Sequence, residues 1–524
     1  MIKYSSMYMT ITFSIILITV MTLTVLRLLR PGYSYAWPIA VVGSFMAWIS
    51  VFLWQIDLPE NLVLFSYKYL EIFNFTISLS ADGINYPYAL GITSLVMTSI
   101  LTSAMRAREA KPLGWVAILI IAVFGLSAVL ADNPLTLVIA WSVLDIAGLI
   151  SSLNASDDPI FSERAVFSFS FRVIGTGLIL WAGILDPSFG RSFTLASNPG
   201  NIGMLLILGV LIRSCAIFFR LPYSKDPSIR NGYETTYKLI SIAATLVLLS
   251  HILLDIGNQW TLILILVIIA LAGLLSAYHW LTTPREITSQ SLWVFGLISL
   301  STISTLQGNP VGSAAWGSAG LFTGGLLFLY TVRNKILTII LIASAYILSS
   351  LPFSLTASGW SSFQPASWVV FIVLIPLLSL LSSGYIRSIM LDEKESLDSQ
   401  PRWVKIFYLT GLVTLALTGL VLGATGWDGA GQIGAWIPAL ISTVLTVVLS
   451  ILLVRIPTPD RLDSRLISKP AAWVEFAASL GGGLFRTIRG LLDILTSIFE
   501  GDGGVLWTIL FLVVFISILG IYAF

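Results

Sequence analysis

The chain has 524 residues, 56% of them hydrophobic and 10% charged, with a formal net charge of +2 and a mean hydropathy of +0.93. An ordinary soluble domain carries roughly 25% charged residues, so these values exclude one. They leave a polytopic membrane protein whose single bilayer-embedded domain uses almost all of the chain, and the small net charge gives no sign of a nucleic-acid partner.

A hydrocarbon core of about 30 Å needs ~20 apolar residues per helical crossing, and roughly sixteen stretches meet that length. In chain order they are 8–28, 34–54, 85–105, 113–131, 134–152, 166–185, 201–219, 235–254, 258–280, 290–306, 311–331, 335–352, 366–386, 404–424, 432–454 and 505–523. The first is too long for a secretory signal and lacks a small-residue cleavage site after it, so it counts as a span. Basic residues collect in cytoplasmic loops. With the N-terminus outside, Arg27, Arg30, Arg106, Arg108, Lys111, Arg220, Lys225, Arg285, Arg333 and Arg387 share one face with the basic residues of 455–489, while Lys3, Lys68 and Arg191 fall opposite. A miscounted helix would scramble that segregation.

Asp145, Arg172, Arg213 and Lys238 lie inside otherwise apolar spans. Charge at membrane depth is costly, so such residues mark an ion pathway or a fixed structural pair. Asp145 with Arg213 or Arg172 would make a buried ion pair. Glu234 and Lys238, four residues apart at the start of the eighth span, share a helix face and read either as a second path element or as an interfacial pair with a snorkelling lysine. His251 and His279 stand near opposite ends of their spans, where an interfacial or packing role is the simple reading. The lone Cys215 has no disulfide partner, and no spacing suggests a metal or cofactor site. Between the last two spans, 468–500 repeats Trp473, Phe476, Leu480, Leu484, Ile488 and Leu491 at helical spacing with Arg486 and Arg489 on another face. That pattern predicts an amphipathic helix on the cytoplasmic surface, interrupted at Gly481-Gly482-Gly483.

Five short motifs carry a resemblance: Asp82-Gly83-Ile84 at the third span, Phe171-Arg172-Val173 in the sixth, Arg213-Ser214-Cys215-Ala216-Ile217-Phe218-Phe219-Arg220 in the seventh, Leu351-Pro352-Phe353-Ser354 after the twelfth and Tyr385-Ile386-Arg387 in the thirteenth. In order and spacing they resemble the antiporter-like subunits of respiratory complex I and their Mrp antiporter and bicarbonate-accumulation relatives, above all the largest complex I subunit of this type. The resemblance implies an all-α membrane fold with two inverted repeats of five helices, each holding a helix broken at mid-membrane. Residues 1–112 would then be N-terminal spans, 113–257 and 258–403 the repeats, 404–454 further spans, and 455–524 a lateral helix with the final span. It also implies neighbouring membrane subunits in the cell membrane of a prokaryote and, in working members, H⁺ or Na⁺ movement along buried lysines and histidines.

Here the chain departs from those relatives. Their fifth-helix glutamate aligns with Ser142, the seventh-helix lysine with Arg213, an eighth-helix histidine with Ile242 and the lysine of the second repeat with Thr323. Asp145 stands three residues beyond Ser142, close to the same face, and supplies a displaced carboxylate. Arginine keeps its proton where lysine can release one. In the second repeat no charge sits clearly at mid-depth; Thr302, Ser304, Thr305 and Thr323 supply the polarity. The expected function is that of an antiporter-like subunit with a degenerate proton path and a structural or coupling role, against the alternative of an active H⁺ or Na⁺ translocator, and an enzyme acting alone is the least expected.

Overall fold

The computed structural model describes residues 7–30, 35–69, 73–106, 112–153, 159–185, 202–219, 227–252, 259–282, 287–360, 368–390, 395–396, 400–425 and 436–455. Met1–Val454 belongs to one compact unit and Arg455–Phe524 to another; the expected surface helix and sixteenth span lie outside the described residues.

Fifteen α-helices meet the first fifteen expected spans one for one: α1 Met7–Leu29, α2 Ala36–Leu53, α3 Tyr86–Thr102, α4 Pro112–Val129, α5 Pro134–Leu153, α6 Pro159–Leu185, α7 Gly203–Cys215, α8 Pro227–Leu246, α9 Gln259–Thr282, α10 Ile287–Leu306, α11 Pro310–Leu329, α12 Lys335–Ser344, α13 Trp368–Met390, α14 Arg402–Thr425 and α15 Trp436–Arg455. Eight of them contain stretches long and apolar enough to cross a membrane, and this is a multi-pass membrane protein. Several open on proline, whose missing N–H costs nothing in a first turn. Others are capped by side chains: Asn133 Oδ1 accepts from Thr136 N at 2.8 Å before α5, Asn309 Oδ1 from Gly312 N at 2.7 Å on α11, and Asn334 Oδ1 from Ile336 N at 2.9 Å on α12.

Every residue of α3 is buried, as is nearly all of α11, and the two pack together at the centre of the bundle. Both are rich in Gly, Ser, Thr and Ala, the small residues that let membrane helices approach closely. At the rim, α1 and α15 expose Ile18, Met21, Val444 and Ile451, as an apolar solvent permits. Among the sequential fives, α4 packs on both α5 and α8, and α9 on both α10 and α13; α5 meets α6 as α10 meets α11. The pairing thus recurs with a period of five helices.

Two helices stop short. Cys215 ends α7 after 13 residues and Ser344 ends α12 after 10, each running into a 3₁₀ turn, at Ala216–Phe219 and Ala345–Leu348. A full crossing takes about 20. Beyond α12 the chain turns through Ser350 and Phe353 with φ of 56° and 63°. The short helices are thus the seventh and the twelfth, five apart in chain order.

Besides a two-residue parallel pairing of Val332–Arg333 with Glu395–Ser396, a hairpin is an addition to the expected all-α architecture. Strands β1, Glu60–Tyr69, and β2, Phe73–Ala81, form an antiparallel hairpin between α2 and α3, where the sequence reading placed only a hydrophilic loop. Phe73, Phe75, Ile77 and Leu79 alternate with polar residues along β2, the period of a strand. The hairpin seats on the α4–α5 junction through Ser80 N to Leu130 O at 2.6 Å and Asp132 N to Ser78 O at 3.1 Å. It then leads into Asp82, whose Oδ1 accepts from Ile84 N at 2.9 Å and Asn85 N at 2.8 Å and so starts α3. The Asp-Gly-Ile element is therefore a helix start.

Candidate functional site

Within the first set of five helices, α5, α6 and α7 bring three buried charges to one point. Asp145, Arg172 and Arg213 are 3%, 6% and 3% exposed. Arg213 Nη1 lies 2.6 Å from Asp145 Oδ2 and Nη2 lies 3.1 Å from Oδ1, a two-pronged grip; Arg172 Nη1 lies 3.1 Å from Oδ1. The sequence offered Asp145 one arginine or the other, and the fold supplies both.

The remaining donors are also met. Arg213 Nε donates to Thr245 Oγ1 on α8 at 3.0 Å and Nη1 to Thr176 Oγ1 on α6 at 3.1 Å. Those hydroxyls hand their own protons to the backbone, Thr176 to Arg172 O and Thr245 to Ser241 O. The Arg213 guanidinium also lies over the Trp141 ring, 4.2 Å from its centroid, while Trp141 Nε1 donates to Ala244 O at 2.9 Å and fixes that ring against α8. A guanidinium over an indole face is held by the ring quadrupole. Arg172 donates to the Tyr237 hydroxyl as well as to Asp145. Gly148, one turn beyond Asp145, makes room: a methyl there would collide with the Tyr237 hydroxyl.

Tyr237, Thr176 and Thr245 were not singled out in the sequence. Their signal is spacing: Tyr237, Ser241 and Thr245 recur every four residues on α8, and Arg172 and Thr176 do so on α6. Such polar stripes on apolar helices mark the faces turned toward one another.

Glu234 and Lys238 are 7% and 4% exposed. Both side chains are enclosed by the protein. Lys238 Nζ stands 3.5 Å from Ser291 Oγ on α10, whose own hydroxyl donates to Ile217 O in the break after α7. His251 closes the 3₁₀ turn after α8, and its Nε2 pairs with Asn85 Oδ1 at 2.9 Å at the start of α3. It lies apart from the charged cluster, as does His279 near the end of α9, edge-on to the ring of Tyr278.

The positions that departed from the resemblance are equally placed. Ser142 bonds back to Val138 O at 2.7 Å, and Thr323, fully buried in α11, to Ala319 O at 2.6 Å. Ile242 lines a cavity of about 10 Å³ with Leu246, Leu297, Trp316 and Leu321. This small space between α8, α10 and α11 is lined almost wholly by apolar side chains.

No protein-family model matches the chain, and no curated protein does. Solved structures do. A chain of the Mrp complex from Dietzia sp. DQ12-45-1b superposes with a TM-score of 0.64 at 15% identity over 99% of this chain. The two chains share a fold. This chain spans 63% of the length of that Mrp chain. A chain of the membrane-bound sulfane sulfur reductase, an archaeal respiratory membrane complex, matches 96% of this chain and 99% of its own length, with a TM-score of 0.58 and 13% identity. Both neighbours are parts of multisubunit membrane complexes, and their fold is retained here at very low sequence identity.

Proposed function

We propose that this chain is an antiporter-like subunit of a larger ion-translocating membrane complex in a prokaryotic cell membrane, with its N-terminus outside, and that its own proton path is degenerate. Its role is structural or coupling: it holds the antiporter-like fold beside other membrane subunits. The five-helix periodicity supports reading 113–257 and 258–403 as inverted repeats, and the short α7 and α12 support their broken helices.

The observation that carries this reading is the occupation of Asp145. Three guanidinium N–H groups already bond to its two oxygens, and neither arginine gives up a proton to pass on. Beyond the cluster the small cavity at Ile242 offers an almost wholly apolar lining on the side toward α11. The buried ion pair, in this reading, fixes α5, α6 and α7 in register.

A second reading rests on Lys238. It is buried on α8, one turn before Ile242, and a lysine, unlike an arginine, has a proton it can release. Lys238 with Glu234 would then serve H⁺ or Na⁺ translocation. Comparing Asp145→Ala, Arg213→Ala and Lys238→Met in vesicles and in the assembled complex separates the readings. Poor assembly with unchanged flux per assembled complex supports the structural role, whereas normal assembly with flux abolished by Lys238→Met establishes translocation.

A further inference from the structure

Many buried hydroxyls of these helices turn back on their own backbone: Ser299 donates to Phe295 O, Ser318 to Ala314 O and Ser383 to Ser379 O, each four residues earlier. Ser291 reaches outward instead. It lies buried near the start of α10, in the second set of five helices (α9 to α13), and donates to Ile217 O at 3.2 Å, in the 3₁₀ turn Ala216–Phe219 that follows α7 of the first set (α4 to α8). Helix ends leave carbonyls without amide partners, and side-chain donors meet them. Ser168 of α6 meets the neighbouring Ala216 O at 3.0 Å, so the turn is held from its own set and from the next. Lys238 of α8 stands behind the second hold, its Nζ 3.5 Å from Ser291 Oγ. Toward the other end of α10, Thr305 donates to Leu249 O at 3.0 Å, in the 3₁₀ turn Val247–His251 after α8. Ser291 and Thr305 are separated by about four helical turns and so share a face of α10.

An ammonium group donates hydrogen bonds and accepts none. Beside Lys238, the Ser291 hydroxyl therefore turns its oxygen to the ammonium and its proton away, toward Ile217 O. We propose that Lys238 and Ser291 form a latch that fixes the 3₁₀ turn after α7 to α10, and that the positive charge of Lys238 sets the direction of the hydroxyl. Without that charge the hydroxyl is free to swing back to a carbonyl of its own helix, as Ser299 and Ser383 do, and the turn loses its hold on α10. Both are positioning residues for the turn. With Thr305 as a second point of attachment, α10 ties the second set of helices to the ends of α7 and α8, so that a shift of α10 moves both turns. That consequence rests on the coupling role proposed above, whereas the latch stands whether or not the subunit conducts.

Hydrogen–deuterium exchange of the full chain in lipid nanodiscs tests the latch, because exchange reads local opening segment by segment. Ser291→Ala should speed exchange over Ser214–Phe219 several-fold and leave the central helix α3 unchanged. Lys238→Met should speed the same segment, and adding it to Ser291→Ala should change nothing further, because the lysine acts through the hydroxyl. An unchanged rate over Ser214–Phe219 in Ser291→Ala would overturn the latch, as would an equal acceleration of α3, which would mean general loosening. A full additional effect of Lys238→Met in the Ser291→Ala background would remove the lysine from it. Should Ser291→Ala not fold, Ser291→Cys keeps the shape with a weaker donor and should still speed the turn; a wild-type rate there would overturn the latch. Exchange carries no ion-flux readout, so failure of the latch is distinguishable from failure of the proposed function.

Discussion

Arg213 holds Asp145 with two nitrogens, at 2.6 and 3.1 Å, from a helix that ends two residues later. A bidentate guanidinium–carboxylate pair is the strongest form of this contact, and here it lies where the antiporter-like resemblance calls for a lysine.

Two guanidiniums against one carboxylate leave one positive charge in excess, which orders the effects of single substitutions. Arg172→Gln leaves a balanced pair and should be the mildest. Arg213→Gln loses the two-pronged grip and should cost more. Asp145→Asn strands both cations and should cost most, about 3–5 kcal/mol, read as the fall in the thermal unfolding midpoint of the purified protein in nanodiscs. Asp145→Asn combined with Arg213→Gln should cost less than the sum of the two. Additive losses would show that the groups do not interact.

Gly148→Ala should destabilise by about 1–3 kcal/mol, because the added methyl drives Tyr237 out of its place against α5. In a Tyr237→Leu background the same substitution should lose most of that cost. A penalty of the same size in both backgrounds would mean that the two residues do not meet.

Burial pushes the Glu60 carboxyl above its ordinary value of 4.5, against the opposing pull of its hydrogen bond from Met9 N. The folded state therefore holds this proton more tightly than the unfolded one does. The contribution is fully present below the ordinary carboxylate value and is lost as pH rises through the raised one. Hydrogen exchange in the first turns of α1 should accelerate across that window beyond its intrinsic pH dependence, and Glu60→Gln should flatten the response. An unchanged slope in Glu60→Gln would assign the effect elsewhere.

Restoring a histidine at Ile242 should not restore a path. The imidazole would enter a small apolar cavity lined by Leu246, Leu297 and Leu321, at a cost of about 1–3 kcal/mol for an unmet polar group, and its neighbours in α11 include Gly320 and Leu321. The expected outcome is a lower unfolding midpoint with no gain of proton flux in vesicles. A gain of flux would show that only this one group had been missing.

The helices were legible in the sequence because each crossing demands a long apolar run, and all fifteen within the described residues answer to one. Their faces were less so. Asp145 and Arg213 stood out as charges in apolar spans, but choosing both arginines over one needs the positions of α5, α6 and α7 relative to each other. Tyr237 looked like any aromatic of an apolar helix until Gly148 opened a place for it. The surroundings of Lys238 were not legible either, because its enclosure depends on what packs over α8, here Ser291 of α10. The hairpin was hidden between two strong helical signals, although the alternation from Phe73 to Ala81 was present.

The most direct test of the account is proton flux through this chain alone, reconstituted in liposomes under an imposed pH gradient. The account predicts a leak no greater than that of empty liposomes, unchanged by Lys238→Met. A flux above that background, abolished by Lys238→Met or Asp145→Asn in correctly folded protein, would contradict it.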